Sequence, residues 1–234
     1  MSFFYKHRVI FGFSALALAV VVTFCICFFA IARTAGKSLR LTVVIDAGHG
    51  GVDGGVVGVE SGVKESEINL AISRLLQKHF EDAGFRVVQT RPTEAGLYGA
   101  ATTGYKKRDM KKRAEIINES APVMMISVHQ NFFSLSSRRG AQVFFRADSD
   151  TSHALANSVQ SALNEMPECV KKSEALAGDY YVLNCSDYPS VIVECGFLSN
   201  PEDDALLNSA DYQLKLVETI RLGALGYLSA SASA

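Results

Sequence analysis

The sequence has little cysteine, and none of it shows the spacing of a metal site. Five cysteines occur among 234 residues, without a CxxC pair. Cys25 and Cys27 lie in an apolar segment, which leaves Cys169, Cys185 and Cys195 for the rest of the chain. Three cysteines allow at most one disulfide, and we consider Cys169 with Cys185 as that pair. A thiolate zinc site and a disulfide framework are therefore not indicated.

Acidic residues are absent from the first 40 positions, which contain five Lys and Arg. Within this region Val9 to Ala32 carries no charge. At about 1.5 Å per helical residue it can span a hydrocarbon layer of about 30 Å. We expect residues 9–32 to be a transmembrane anchor. A cleaved signal peptide is the alternative, because Ala30-Ile31-Ala32 resembles a cleavage site. Basic residues flank both sides, so the charges leave the orientation open.

The remainder of the chain is acidic and has the size of one domain. Beyond residue 40, 18 basic residues stand against 24 acidic ones, which argues against nucleic acid as a partner. We divide the chain into an N-terminal flank (1–8), the apolar segment (9–32), a linker (33–40), a globular domain (41–228) and a disordered tail (229–234).

From residue 41 onward, hydrophobic runs alternate with helical periods, which is typical of an α/β domain. Short β-prone runs predict one sheet of about six strands, at 41–46, 85–90, 123–128, 141–146, 180–183 and 191–195. Helices are predicted over 66–83, 106–119, 152–166 and 211–228. In the first of these, Ile68, Ile72, Leu76 and Phe80 share one face, which should cover the sheet.

Two of the predicted strands lead directly to a histidine. The first runs into DAGHGGVDGG, whose glycines permit a tight loop that presents His49. The third is followed by His129. Because α/β sheets place their sites at the carboxyl ends of strands, we expect both imidazoles at one sheet edge. A phosphate-binding loop is the alternative for the glycines, but neither GxxxxGK[ST] nor GxGxxG with its distant acidic residue is present.

Two histidines leave a zinc site one ligand short. A catalytic zinc ion takes three protein ligands and keeps one position open, and two histidines with one carboxylate are a common set. Glu65 and Glu67 begin the first predicted helix and are the candidates for the third ligand. Asp46 and Asp53 flank His49 and are alternatives, and Asp46 could instead orient an imidazole.

A further carboxylate, Glu194, lies among apolar residues in the run SVIVECGF. Because glutamate is rarely buried without a partner, this position favours a general base near a metal. A buried ion pair is the structural alternative. Cys195 as a thiol nucleophile is a second alternative, but adjacent strand residues point to opposite faces, so both side chains cannot easily share one cleft.

Four motifs in order, VVIDAGHGGVDGG, KESEINLA, SVHQN and VIVECGFLSNPEDDALL, resemble the zinc N-acetylmuramoyl-L-alanine amidases of bacterial cell-wall turnover. The resemblance covers nearly all of residues 41–228, which it identifies as a zinc amidase catalytic domain. It implies a mixed sheet flanked by helices, a Zn²⁺ cofactor held by His49, Glu65 and His129, and Glu194 as the catalytic carboxylate.

The resemblance also bears on two further residues. It selects Glu65 over Glu67 as the ligand, because Glu65 directly follows the lysine of KESEINL, and Glu67 is then expected to be a solvated charge in the first helical turn. Asn131 matches a frequent asparagine of the family and is expected to orient substrate or ligand.

The implied reaction is hydrolysis of the amide between the lactyl group of N-acetylmuramic acid and L-alanine in peptidoglycan. The apolar segment, the single domain and the run YGAATTGYKKRDMKKRAEIIN are similar to the sporulation branch, whose members prepare spore cortex for muramic-δ-lactam formation. Because the substrate lies outside the cytoplasmic membrane, we expect the domain on that side or in the intermembrane space of a developing spore. The protein would be secreted if residues 9–32 are cleaved.

No wall-binding domain or repeat is recognisable, so the anchor or an accessory activating protein is expected to target the enzyme. Residues Lys106 to Arg113 could be a docking face, although charge runs are usually solvated helix surface. Two alternative functions stay open. A zinc peptidase acting within the stem peptide is one, but HExxH is absent. The other is a catalytically inactive wall-binding module, against which the intact set of four catalytic-type residues argues.

Overall fold

The structure is a computed structural model that describes Thr23, residues 40–100 and residues 103–232. Apart from Thr23, the predicted anchor at 9–32 lies outside these residues. No helix in the described part of the chain is long and apolar enough to cross a membrane.

From Leu41 onward the described residues form one compact α/β unit. Its elements in chain order are β1 (Thr42–Ala47), α1 (Glu65–Asp82), β2 (Arg86–Gln89), α2 (Tyr105–Ser120), β3 (Met124–Asn131), β4 (Gln142–Phe145), α3 (Asp150–Leu163), β5 (Leu176–Ala177), α4 (Tyr181–Asn184), β6 (Ser190–Phe197), α5 (Pro201–Leu207) and α6 (Ala210–Ser231).

The six strands form one mixed sheet in the order β2-β1-β3-β6-β4-β5. Strand β1 runs parallel to both β2 and β3, and β6 is parallel to β3. Strand β4 runs antiparallel to β6 and parallel to β5. The predicted α/β class and six-stranded mixed sheet are confirmed. Because β1, β3 and β6 are parallel neighbours, their carboxyl ends lie at one edge.

Helices cover both faces of the sheet, and the larger core lies under α1, α3 and α6. The predicted face of α1 is confirmed there, since Ile68, Ile72, Leu76 and Phe80 are at most 2% exposed and pack in this core. A smaller core on the other face joins α2 and α4 to the sheet. It contains Val44, Ile117, Met125, Val182, Leu183 and Ile192.

One predicted strand, residues 180–183, is wrong. Tyr181–Asn184 is a short helix, and the sheet edge is formed instead by Leu176–Ala177. Val182 and Leu183 are both buried against the smaller core. A run of a few apolar residues satisfies a buried helical turn as well as a strand, so periodicity could not separate the two.

Helix α5 was not predicted, although its start signals are in the sequence. Asn200 caps it by accepting hydrogen bonds from the backbone N–H groups of Glu202 and Asp203, and Pro201 occupies its first turn. Asparagine at the cap and proline at the first position favour a helix start.

Two smaller expectations also need correction. Helix α6 continues to Ser231, three residues into the segment expected to be a disordered tail. Cys169 and Cys185 are free thiols, so the disulfide that we considered is not formed.

Candidate metal centre

The loop after β1 delivers the first histidine in a strained conformation. His49 has φ 62, in the left-handed region that side chains with a Cβ rarely occupy. The preceding residue is held to the neighbouring strand, since Gly48 N–H donates to the carbonyl of Val128. A Cβ on Gly48 would lie 2.3 Å from Nε2 of His129. Glycine is therefore required for the loop to pack against the second histidine.

The second histidine and the carboxylate come from β3 and α1. His129 lies near the carboxyl end of β3, and Glu65 is the first residue of α1, with 2% exposure. Gly55, at φ 67, makes room for this carboxylate, because a Cβ there would lie 2.3 Å from Glu65 Oε2. Glu67, two residues further on, is exposed as expected.

The three predicted ligands lie together. Glu65 Oε1 is 2.9 Å from Nδ1 of His129 and 3.2 Å from Nε2 of His49. One ligand atom from each of the three side chains can be chosen so that all lie within 4.8 Å of one another. Two imidazoles and one carboxylate in this arrangement fit a metal ion that keeps a position free for water.

The ionisation of these groups reflects their contacts. Burial alone would raise the pKa of Glu65, but hydrogen bonds from His129 and His49 outweigh it and hold that pKa far below its ordinary value. Burial would lower the pKa of His49, but the carboxylates of Glu65 and Asp53 outweigh it and raise that pKa. Glu65 is therefore ionised at neutral pH, as a metal ligand must be.

Two buried amides that the sequence analysis missed hold Glu65 in place. Asn69 Nδ2 donates to Glu65 Oε1 and to the carbonyl of Gly48. Gln130 donates from its backbone N–H to the same Oε1 and from Nε2 to Asn69 Oδ1. The sequence carried a signal, since Asn69 lies one helical turn after Glu65 and Gln130 follows His129 directly.

Glu194 lies beside this cluster on β6. It pairs in register with His129 on the parallel strand β3, and both side chains line the same cavity. Burial raises the pKa of Glu194 to about 7, and its Oε2 is buried without a hydrogen-bond partner. Neither the buried ion pair nor the thiol alternative fits, because no cation is paired with Glu194 in the described chain and Cys195 is buried in the core.

The remaining candidates have different surroundings. Asp46 does not bond to an imidazole; its carboxylate accepts from Arg113, Thr90 and Ser127. Asp53 Oδ2 lies 3.2 Å from Nδ1 of His49, although that nitrogen makes no hydrogen bond. Asn131 Oδ1 accepts from the adjacent N–H of Phe132, and its suggested role with substrate stays a prediction.

Part of the basic run 106–113 is not solvated helix surface. Arg113 is 1% exposed and bonds to Asp46, to Asp109 and to the carbonyls of Ala47 and His49. The pKa of Asp46 is lowered to about 2, because the ion pair with Arg113 and its hydrogen bonds outweigh burial. This arginine therefore fixes the backbone of the loop that carries His49.

A cavity of about 250 Å³ opens beside the cluster. His49, His129 and Glu194 line it, together with residues of the loop after β1, of the start of α2 and of α4. Its size suits a short segment of an extended substrate. Fold and site together define a class: an α/β domain with three metal ligands and an adjacent buried carboxylate, as metal-dependent hydrolases have.

Comparison with known proteins identifies the family within this class. The family described as N-acetylmuramoyl-L-alanine amidase matches residues 43–225, and the chain belongs to it. The germination-specific N-acetylmuramoyl-L-alanine amidase of Bacillus subtilis is 30% identical over 191 residues, which cover 80% of this chain and 79% of that protein.

Solved structures agree with this assignment. The CwlD amidase of Clostridioides difficile, determined in complex with the GerS lipoprotein, superposes with a TM-score of 0.79 at 35% identity, covering 82% of this chain and 100% of that one. An N-acetylmuramoyl-L-alanine amidase from Clostridium difficile 630 gives 0.73 at 29% identity, covering 81% and 97%.

Proposed function

We propose that this protein is a zinc-dependent enzyme that hydrolyses the amide between the lactyl group of N-acetylmuramic acid and L-alanine in peptidoglycan. The observation that carries the proposal is the cluster of His49, Glu65 and His129 beside the buried carboxylate of Glu194, in a chain of the amidase family.

The residues present fit zinc. Two imidazoles and one ionised carboxylate are the donor set that catalytic zinc sites use, and magnesium or calcium sites prefer oxygen ligands alone. His49, Glu65 and His129 would hold the ion. When bound, zinc lowers the pKa of a water molecule and polarises the substrate carbonyl.

Glu194 is placed to move the proton. Its carboxylate accepts a proton from the attacking water and returns it to the departing nitrogen, so that the lactyl carbonyl gains OH and L-alanine leaves as a free amine. Burial raises the pKa of Glu194, which makes its carboxylate a better acceptor for the proton of the attacking water. The unpartnered Oε2 leaves an acceptor free for the incoming water.

Digestion of purified peptidoglycan by the full-length protein in detergent tests the reaction. With zinc, mass spectrometry should show intact stem peptides with a free L-alanine amine and glycan strands with a free lactyl carboxyl. Chelator and Glu65→Gln should abolish the release. Glu67→Gln, an exposed charge two residues away, is the matched control and should retain activity.

The same digest distinguishes the alternatives. New amino termini inside the stem peptide, with muramic acid still substituted, would show a zinc peptidase. Binding to wall without any release, with zinc present, would show an inactive binding module.

We further propose that the enzyme acts in spore cortex maturation, where removal of the stem peptide prepares muramic acid for δ-lactam formation. The support is the similarity to the germination-specific amidase of Bacillus subtilis and to CwlD. Spores of a strain without this protein should lack muramic-δ-lactam, and wild-type protein should restore it while Glu194→Gln should not. Unchanged δ-lactam in the deletion strain would contradict the role.

We propose that residues 9–32 anchor the enzyme in the cytoplasmic membrane with the domain outside the cytoplasm, and that an accessory protein aids its activity. The support is the uncharged run Val9 to Ala32 and the lipoprotein complex of CwlD. Protease treatment of intact protoplasts should degrade the domain while leaving cytoplasmic markers intact. Amidase activity in membranes from the native host should exceed that of the isolated protein if an accessory protein contributes.

A further inference from the structure

One wall of the cavity takes no part in holding the metal or moving the proton. It is formed by the start of α2 and by α4, and its side chains are Tyr105, Lys106, Met110, Tyr180, Tyr181 and Val182. This wall is mostly apolar and aromatic and carries one ammonium group. Because these side chains line the same cavity as His49, His129 and Glu194, they are placed to contact the substrate beside the reacting bond.

The ammonium of Lys106 has no strong partner. Its Nζ lies 3.8 Å from Asp53 Oδ2, and its side chain is 68% exposed. An exposed pair of this length contributes little to stability. The other cation lining the cavity, Arg113, is 1% exposed and is bound by Asp46 and Asp109. Lys106 is thus the cavity-lining cation that an incoming carboxylate can engage.

The position of this lysine does not help its helix. Lys106 and Lys107 lie in the first turn of α2, which contains no acidic residue, and the cap residue Gly104 offers no side-chain bond. Positive charge at a helix N-terminus is unfavourable because the helix dipole is positive there. A stabilising role within the helix therefore does not explain Lys106, which favours a role in binding an anion.

The distance from the metal centre matches the substrate. Asp53 Oδ2 lies 3.2 Å from His49 Nδ1 and 3.8 Å from Lys106 Nζ, so one oxygen separates the ammonium from the imidazole of His49. An extended peptide advances about 3.3–3.6 Å per residue. A residue one or two positions beyond the reacting amide therefore reaches Lys106. In the stem peptide this is the glutamate after L-alanine, which bears a free carboxylate or, in amidated walls, a neutral amide.

We propose that Lys106 determines specificity by binding the carboxylate of the stem-peptide residue that follows L-alanine. The inference rests on the proposed amidase function. Lys106 touches neither the metal ligands nor the reacting atoms, and it acts on the substrate through a charge-assisted hydrogen bond. The enzyme accordingly prefers stem peptides with a free carboxylate at this residue over amidated ones.

The test uses two muropeptides that differ only in a carboxylate or a primary amide at that residue. Full-length protein in detergent with zinc should cleave the carboxylate substrate with the higher kcat/KM. Lys106→Met should lower kcat/KM about tenfold on the carboxylate substrate, chiefly through KM, and leave the amide substrate unaffected. Lys106→Arg should restore the preference. Lys107→Met, an exposed neighbour outside the cavity, is the matched control and should behave as wild type.

The outcomes separate this inference from the function on which it rests. Equal losses on both substrates for Lys106→Met, or no loss on either, would overturn the specificity role while leaving the amidase intact. If the wild-type protein released stem peptide from neither substrate, the proposed function itself would fail, and the inference with it.

Discussion

Two clusters of buried charge lie at the carboxyl end of β1, and they differ in how fully their polar atoms are bonded. In the ion network, defined as Asp46, Asp109 and Arg113, Arg113 bonds to both carboxylates and to two backbone carbonyls. In the metal centre, Glu194 Oε2 and His49 Nδ1 have no hydrogen-bond partner. Buried polar atoms are normally bonded, and these two unpaired atoms belong to residues that line the cavity.

The two clusters are connected. Arg113 Nη2 donates to the carbonyl of His49, the residue with the strained backbone. The ion network can stabilise such a conformation because the hydrogen-bonding groups of Arg113 are held by several partners at once. The comparison therefore predicts that substitutions in the ion network affect stability first, and that substitutions in the metal centre affect activity first.

The largest effect is expected for Glu194→Gln. Loss of the general base should lower kcat by about 10²–10⁴-fold. Stability should be unchanged or higher, because a neutral amide carries no buried charge. Peptide release and urea unfolding measure the two. A loss of stability without a loss of kcat would show that Glu194 has a structural role, like the residues of the ion network.

Next in size is Arg113→Met. Removing this cation leaves Asp46 buried and uncompensated, which should cost about 3–5 kcal/mol of unfolding free energy. Urea denaturation monitored by circular dichroism gives the value. Lys112→Met, the exposed neighbour, is the control and should change stability by at most about 0.5 kcal/mol. Similar losses of unfolding free energy in both variants would show that Arg113 contributes no more to stability than an exposed lysine.

The pH dependence of stability should have opposite signs in the two clusters. In the zinc-free protein, Glu194 has a pKa of about 7 instead of 4.5, so the folded state binds its proton more tightly. Stability from this group is complete below about pH 4.5 and is lost as pH rises to about 7, by up to about 3 kcal/mol. With chelator present, the unfolding free energy of wild type should fall between pH 5 and pH 7.5 by more than that of Glu194→Gln. Equal changes in the two proteins would contradict the prediction.

Asp46 should behave in the opposite way. Its pKa is lowered from 3.8 to about 2, so its contribution is present above about pH 4 and is lost as pH falls towards 2. Acid unfolding of Asp46→Asn should lack this step, whereas Glu194→Gln should retain it.

The smallest effect is expected for Asn69→Ala, which removes a support of Glu65 but no ligand. Residues that hydrogen-bond to metal ligands typically contribute about 10–100-fold to metal affinity, so the variant should bind zinc that much more weakly. Competition with a chromogenic chelator measures this affinity. Ser73→Ala is the matched control, because Ser73 is buried in the same helix and its hydroxyl has no hydrogen-bond partner. Equal affinities in the two variants would show that Asn69 does not support the ligand.

The predictable parts of the fold are the long periodic ones. Helix α1 and strands β1, β3 and β6 follow from hydrophobic patterns, because each buries a continuous face or run. The helix at 181–184 and the edge strand at 176–177 did not follow. Both are so short that neighbours decide their conformation: Val182 and Leu183 pack on the smaller core, and Leu176 pairs with Phe144 of β4.

The site was predictable to a similar degree. His49, His129 and Glu194 could be identified because polar residues at strand ends or in apolar runs need an explanation. The choice of Glu65 over Glu67 came from the family resemblance, and in the structure Glu65 is buried while Glu67 is exposed. Asn69 and Gln130 were missed although their spacing from Glu65 and His129 carried a signal. Arg113 was missed because a cation in a basic helical run has no distinguishing local pattern.

The sequence by itself determined the α/β class, the one sheet and the histidines at its edge, because these depend on hydrophobic period and on the glycine-rich turn after β1. Only the tertiary structure decided which buried charged groups are fully hydrogen-bonded and which keep an unpaired atom. Arg113 lies in a run of exposed basic residues, and Glu194 lies in an apolar strand. Arg113 bonds to Asp46, 67 positions away, and Glu194 lies beside His129, 65 positions away. Contacts at that range are set by packing, which no local pattern encodes.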